Sequence, residues 1–201
     1  MLLHEKLKGY NLILLSASPR RKQMLRDVGL SFTTLSVPVE EIYPEELPAE
    51  EVAAYLSRLK ADAYPYVLEN KDIVITADTT VITENAILGK PINRQHAIDM
   101  LFSLSGKKHR VVTGVTFRAD RAVHTFKSIS DVWFRELNED EIIYYVDNFA
   151  PYDKAGAYGI QEWIGYIGIE RIEGSFYNIV GLPIQKLYIE LNAFLTKYQS
   201  L

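Results

Sequence analysis

The chain has 201 residues, 48% hydrophobic and 24% charged, a composition that excludes a disordered tract and suits one compact domain or two small lobes around a cleft. A net charge of −4 provides no general attraction for nucleic acid or for a membrane surface, so any polyanionic ligand must be held by a local group of cations. With no cysteine, disulfides and thiolate metal sites are excluded, and the apolar stretch near the start breaks too early for a signal peptide or a membrane span, so a cytoplasmic protein is expected.

Leu12–Leu15 is a short continuous apolar run and predicts a buried strand. A helix is expected next, with Ser18 as N-cap, Pro19 at its first position, Met24, Leu25 and Val28 facing inward, and Gly29 closing it. Ser31–Val37 reads as a second strand followed by an acidic loop. In "LPAEEVAAYLSRLKADAY", Val52, Leu56, Leu59 and Ala63 recur at helical spacing and Pro65 limits the helix. The strand "DIVITADTTVI" follows, then a turn through "TENA" that leads into "ILGKP".

A further helix is predicted between Asn93 and Leu104, with Ala97, Ile98 and Leu101 inward and Gly106 as its stop. "RVVTGVTF" and "VHTFKSISDVWF" read as strands on either side of a "RADRA" turn. Asn138 and Glu141 are spaced as a reciprocal cap for a helix through Phe149. Ile184, Leu187, Leu191 and Leu195 mark the core face of a C-terminal helix. Together these elements predict a mixed α/β fold with a substantial antiparallel component.

The chemistry-bearing stretches begin with "SASPRR", where a strand opens through a short loop into a helix. Two arginines in a first helical turn oppose the macrodipole unless an anion is bound. Backbone N–H groups there can hold phosphate oxygens, Ser16 and Ser18 can add hydroxyl donors, and Arg20 and Arg21 can neutralise charge. The alternative is an ordinary Ser-Pro helix start with solvated arginines. A Walker loop is absent.

Asp78 ends the apolar part of "VITADTT" and can hold a divalent metal or position an attacking water, against the alternative of a strand-end turn residue. Glu40 and Glu41 belong to a solvated acidic loop unless one of them turns inward to share a metal with Asp78. Lys60, beside an apolar helix stripe, and Lys90, in the "LGKP" turn, are either solvated or bind separate phosphoryl groups as point charges. His109 reads as a polar strand-edge residue, and the four histidines make no zinc spacing.

In order along the chain, "LLSASPRR", Glu41, "LSRLKA", "TADTT", "LGKP", "LSGKKHRVVTG", "DKAGAYGIQ" and "IEGSFYNIVGLP" resemble the Maf family of nucleoside triphosphate pyrophosphatases. The resemblance implies an ITPase-like (Maf/HAM1) α/β fold, an elongated curved mixed sheet flanked by helices around a central cleft. It also implies cleavage of a nucleoside triphosphate between its α and β phosphates, giving the monophosphate and pyrophosphate.

"DKAGAYGIQ", through Lys154 and Gln161, resembles the branch that hydrolyses dTTP and UTP rather than the branch similar to 7-methyl-GTP enzymes. A Gln amide offers both the donor and the acceptor that can pair with thymine or uracil. By resemblance, base-specificity roles pass to Arg21, Thr79 and Gln161, and phosphate roles to Ser16, Arg20, Arg21, Lys60 and Lys90. Catalytic and metal roles pass to Glu41 and Asp78, with Mg²⁺ or Mn²⁺ as cofactor and a homodimer as the expected assembly. The competing readings are a nucleotide-binding regulator of septum formation with little turnover, and a pyrophosphatase for 7-methyl-GTP or non-standard purine nucleotides.

Overall fold

The computed structural model describes residues 2–84 and 86–198. Among the described residues seven strands form one mixed sheet: β1 Asn11–Leu15, β2 Thr33–Leu35, β3 Asp72–Ile82, β4 Ile87–Leu88, β5 Lys108–Arg118, β6 Val123–Phe134 and β7 Ile169–Glu173. Their order is β2-β1-β3-β5-β6-β7, with β4 beside β3. The helices are α1 Leu3–Lys6, α2 Pro19–Asp27, α3 Ala49–Asp62, α4 Arg94–Leu104, α5 Glu139–Phe149, α6 Trp163–Gly168, α7 Phe176–Val180 and α8 Ile184–Tyr198, with a 3₁₀ turn at Ala155–Ala157.

The chain divides into two compact units, the first made of residues 1–78, 113–128 and 181–201, the second of 79–112 and 129–180. In the first unit, β1 pairs in parallel with both β2 and β3, and α2 and α3 supply the crossovers that parallel neighbours require. Ile73, Val74 and Ile75 are wholly buried, as a central strand covered on both faces demands.

Seating of α3 is unusually close. At Gly114 on β5 an added Cβ would lie 2.3 Å from the Ala53 carbonyl oxygen, so the helix backbone rests where a side chain would otherwise stand. Ser57, one turn on and fully buried, hydrogen-bonds its hydroxyl to the Ala54 carbonyl (2.8 Å) and to the Thr116 hydroxyl (2.9 Å). Thr76 of β3 donates to the Ser57 carbonyl at 2.6 Å. These bonds remove the cost of burying three hydroxyl-bearing residues and fix the helix lengthwise against two strands.

The second unit pairs β4 with β3 and β7 with β6, both antiparallel. Its core joins Leu101, Leu104, Val132, Phe134, Ile142, Tyr145 and Ile164, all at most 2% exposed. Helix α5 starts on the reciprocal cap its sequence predicts: Asn138 Oδ1 accepts the Glu141 N–H at 2.9 Å and a Glu141 oxygen accepts the Asn138 N–H at 3.0 Å.

The long predicted elements stand close to their expected bounds, with Ser18 capping α2 through the Arg21 N–H and Ile184, Leu187, Leu191 and Leu195 buried along α8. β2 is shorter than Ser31–Val37, and β5 begins two residues earlier than "RVVTGVTF". Of the "TENA" turn, Thr83 and Ala86 bond to each other, while Asn85 lies outside the described residues. His109 is no edge residue: it is 2% exposed within β5, stacked on Phe134 and hydrogen-bonded through Nε2 to the Tyr158 hydroxyl at 2.8 Å. Aromatic neighbours distant in sequence, not the local "GKKHR" polarity, decide its burial. Among the described residues no helix is long and apolar enough to cross a membrane.

The Gly114 contact has a measurable cost. Gly114→Ala is expected to lose about 2 to 3 kcal/mol of stability, because backbone must move to admit the methyl group. Urea unfolding of the two proteins checks the difference.

Candidate functional site

In the first unit, β3 carries Asp78 in its interior, not at its end, and the residue is 7% exposed. Side chains two apart on a strand share a face, so Asp78 projects on the side where Thr76 grips α3. Lys60, in the last turn of that helix, donates to Asp78 and lies 2.8 Å from a Glu41 carboxylate oxygen. Its side chain is 19% exposed, and Glu41 approaches from the acidic loop with 47% of its side chain exposed. Three residues 18 to 37 positions apart in sequence thus meet at one ammonium. The turn reading of Asp78 and the solvated reading of Lys60 fail on this geometry, and Glu41 is the loop carboxylate that reaches Lys60.

The loop after β1 shows what its serines and arginines do. Ser16 Oγ accepts the Ser18 N–H at 3.2 Å, which leaves the Ser16 hydroxyl hydrogen available to donate elsewhere. Arg21 turns its guanidinium into the unit, donating from Nε to the Gly181 carbonyl at 2.8 Å and from Nη1 to the Ala77 carbonyl at 2.7 Å. Burial lowers its pKa, the field of Asp78 and Glu41 acts against that, and the charge of Arg20 adds to the lowering. Arg21 therefore ties the strand immediately before Asp78, a structural task that sequence did not suggest. Its signal was only the electrostatic conflict of a cation in a first helical turn.

The first unit so gathers Arg20, Arg21 and Lys60 against Asp78 and Glu41, a local excess of positive charge on a chain of net charge −4. The two carboxylates, already converging on one cation, supply hard oxygen donors of the kind Mg²⁺ or Mn²⁺ accepts. Among the described residues no third His, Asp or Glu joins them to make a preformed cage. Such an ion would therefore complete its shell with water and ligand oxygens, the usual habit of Mg²⁺ beside phosphates.

The second unit holds Thr79, Lys90 and Gln161. Thr79 is half-buried in β3, and Lys90 is exposed in the turn after β4. Gly89 in that turn accepts the Gly156 N–H at 3.0 Å, which connects the "LGKP" turn to the "DKAGAYGIQ" segment. Gly156 has φ +69°, and a Cβ there would press on the Val81 methyls at 3.1 Å, so both its conformation and its surroundings call for glycine. Ala157 next to it is also left-handed, at φ +59°, a strain held by full burial. Gln161 is half-buried, and among the described residues none hydrogen-bonds its side-chain amide. Lys154, 8% exposed, pairs with Asp153 at 2.7 Å and Glu162 at 3.1 Å.

Residues 11–194 match the family described as Maf-like protein. The chain belongs to that family. The dTTP/UTP pyrophosphatase of Bacteroides thetaiotaomicron is 52% identical over 186 residues, covering 92% of this chain and 96% of that protein. A dTTP/UTP pyrophosphatase of Flavobacterium johnsoniae is 45% identical over 187 residues, covering 93% of this chain and 96% of that one. Among solved structures, the Ham1 protein of Staphylococcus aureus aligns over 92% of this chain and 99% of its own, at 18% identity and a TM-score of 0.47.

His109 lends the second unit a pH dependence. Burial pushes its pKa down to about 4, and its Nδ1 finds no hydrogen-bond partner among the described residues. An unfolded chain takes up the proton near pH 6.5, before the folded one does, so the stability is complete above that pH and falls as pH drops from 6.5 to 4. The loss is roughly 3 kcal/mol. Asp131, held near 2 chiefly by its hydrogen bond from Arg110, contributes its own loss only at lower pH. Denaturant unfolding at pH 7, 5.5 and 4.5 is expected to show this decline in the wild type and a shallower one in His109→Gln.

Proposed function

We propose that this protein hydrolyses dTTP and UTP between the α and β phosphates, yielding the nucleoside monophosphate and pyrophosphate, with Mg²⁺ or Mn²⁺ as cofactor. The observation that carries the reaction class is the convergence of Asp78 and Glu41 on Lys60 beside Arg20 and Arg21. The shared naming of relatives 45% to 52% identical over most of the chain supports the pyrimidine substrates.

A divalent ion held by Glu41 and Asp78 would supply charge neutralisation along the phosphate chain. The remaining work belongs to this chain's own groups. Asp78, fixed by Lys60, orients a water for attack on the α-phosphorus and accepts its proton. The bond from the α-phosphorus to the bridging oxygen breaks, and pyrophosphate leaves with the electron pair. Ser16, Arg20, Lys60 and Lys90 bind phosphoryl oxygens and offset the charge that grows on the leaving group. No covalent enzyme intermediate is required, since a positioned water supplies the nucleophile and, among the described residues, no base is hydrogen-bonded to Ser16 or Ser18.

Arg21, whose guanidinium is already engaged with two carbonyls, contributes a fixed positive field and holds the strand before Asp78. Thr79 and Gln161 read the base. Among the described residues the Gln161 amide has no hydrogen-bond partner, which leaves both its donor and its acceptor for a pyrimidine N3–H and carbonyl. A homodimer in the cytoplasm is the assembly and location consistent with the family resemblance.

A panel of dTTP, UTP, CTP, GTP, ITP and 7-methyl-GTP at fixed Mg²⁺, with pyrophosphate and orthophosphate detected separately, tests this reading. Pyrophosphate released preferentially from dTTP and UTP is expected. Release chiefly from the purines would remove the base-reading role of Gln161, and intact nucleotide throughout would point to a binding protein. Asp78→Asn is expected to fold and to lose at least about 100-fold in kcat, the usual order for a positioned proton acceptor.

A further inference from the structure

Gln161 can read a base only if its backbone is held still, and the second unit contains a buried polar device placed to do that. Tyr145, fully buried on α5, donates its hydroxyl hydrogen to the Glu162 carboxylate and accepts the Gly159 N–H at 3.0 Å with the same oxygen. The other Glu162 oxygen lies 3.1 Å from Lys154 Nζ. The Glu162 N–H in turn donates to the Gly159 carbonyl at 3.0 Å. Residues 159 and 162 are therefore fastened to one hydroxyl and to each other, and Gln161 lies between them.

The surroundings leave this segment little freedom. A Cβ on Gly159 would meet the Glu162 carboxyl carbon at 2.7 Å and Gln161 Nε2 at 2.9 Å, so the Gln161 amide folds back over a glycine that makes room for it. A Cβ on Gly165 would fall 1.9 Å from the Ile160 carbonyl oxygen, so the first turn of α6 closes directly on the segment. Burial and the neighbouring carboxylate both raise the Tyr145 pKa, which keeps its hydroxyl a donor at every working pH. Glu162 thus has a partner on each oxygen, a hydrogen bond from Tyr145 on one and an ion pair with Lys154 on the other, and neither partner is the substrate.

We infer that Tyr145, Glu162 and Lys154 form a positioning network that sets Gln161 for pyrimidine selection without touching the nucleotide. The inference rests on the base-reading role proposed for Gln161. Its energetic logic is that a mobile reader must be ordered when the base binds, whereas one locked in advance need not be. Loss of the lock should weaken discrimination between bases while sparing the chemistry carried by the first unit.

The test compares wild type, Tyr145→Phe and Glu162→Gln on UTP and CTP, with kcat and KM determined separately. A wild type that prefers UTP to CTP establishes the base reading, and one without that preference defeats both the reading and this inference. Given the preference, Tyr145→Phe is expected to raise KM for UTP about tenfold, with kcat within twofold, and to reduce the UTP-to-CTP ratio of kcat/KM by a similar factor. Glu162→Gln keeps an acceptor for Tyr145 and should fall between wild type and Tyr145→Phe; it also carries the test if Tyr145→Phe does not fold. An unchanged UTP-to-CTP ratio in a folded variant, even with a lowered Tm, would reduce the network to a structural role and overturn the inference.

Discussion

The contact on which the first unit depends is the seating of α3 against β3 and β5 at Gly114. A helix normally stands off a sheet by the thickness of its side chains, but here the Ala53 carbonyl occupies the space a Cβ would take. That approach brings Ser57 within hydrogen-bonding distance of two strands at once, to Thr116 through its hydroxyl and to Thr76 through its carbonyl. Lys60 follows three residues later and reaches Asp78, two residues beyond Thr76. Helical spacing of three and strand spacing of two are thereby brought into register at one pair of charges.

Charge is arranged locally and against the molecule's overall sign. Lys60 pairs with two carboxylates, Arg21 is held by carbonyl dipoles, and Arg20 adds a further cation beside it. This pattern suits a ligand that brings its own negative charge. In the second unit the polar groups serve geometry: Gly89 and Gly156 join two turns, and Tyr145 and Glu162 hold the backbone around Gln161. Different local devices keep the groups of each unit in place.

How far these features were legible in sequence depended on the range of the interactions that create them. Ser18 before Pro19, the Asn138 and Glu141 pair, and the stripe from Ile184 to Leu195 are local signals, and each produced the element it predicted. The short helices α1, α6 and α7 have fewer than two turns in which a hydrophobic stripe could repeat, and in β7 the two isoleucines stand three apart, off the strand period of two. The burial of His109 leaves no local signal, since it comes from Phe134 and Tyr158, which lie 25 and 49 positions away.

The sequence by itself determined the class of fold, the long helices and strands, the family, and the inventory of candidate cations and carboxylates, because periodicity, capping and ordered motifs survive in one dimension. Tertiary structure decided which of those residues meet. It selected Glu41 to join Asp78 at Lys60, turned Arg21 inward onto backbone carbonyls, left the Gln161 amide unpartnered within the described chain, and set Tyr145 beneath its loop. These outcomes depend on directed hydrogen bonds and close packing between segments far apart in sequence, whose distances and angles exist only once the chain has folded.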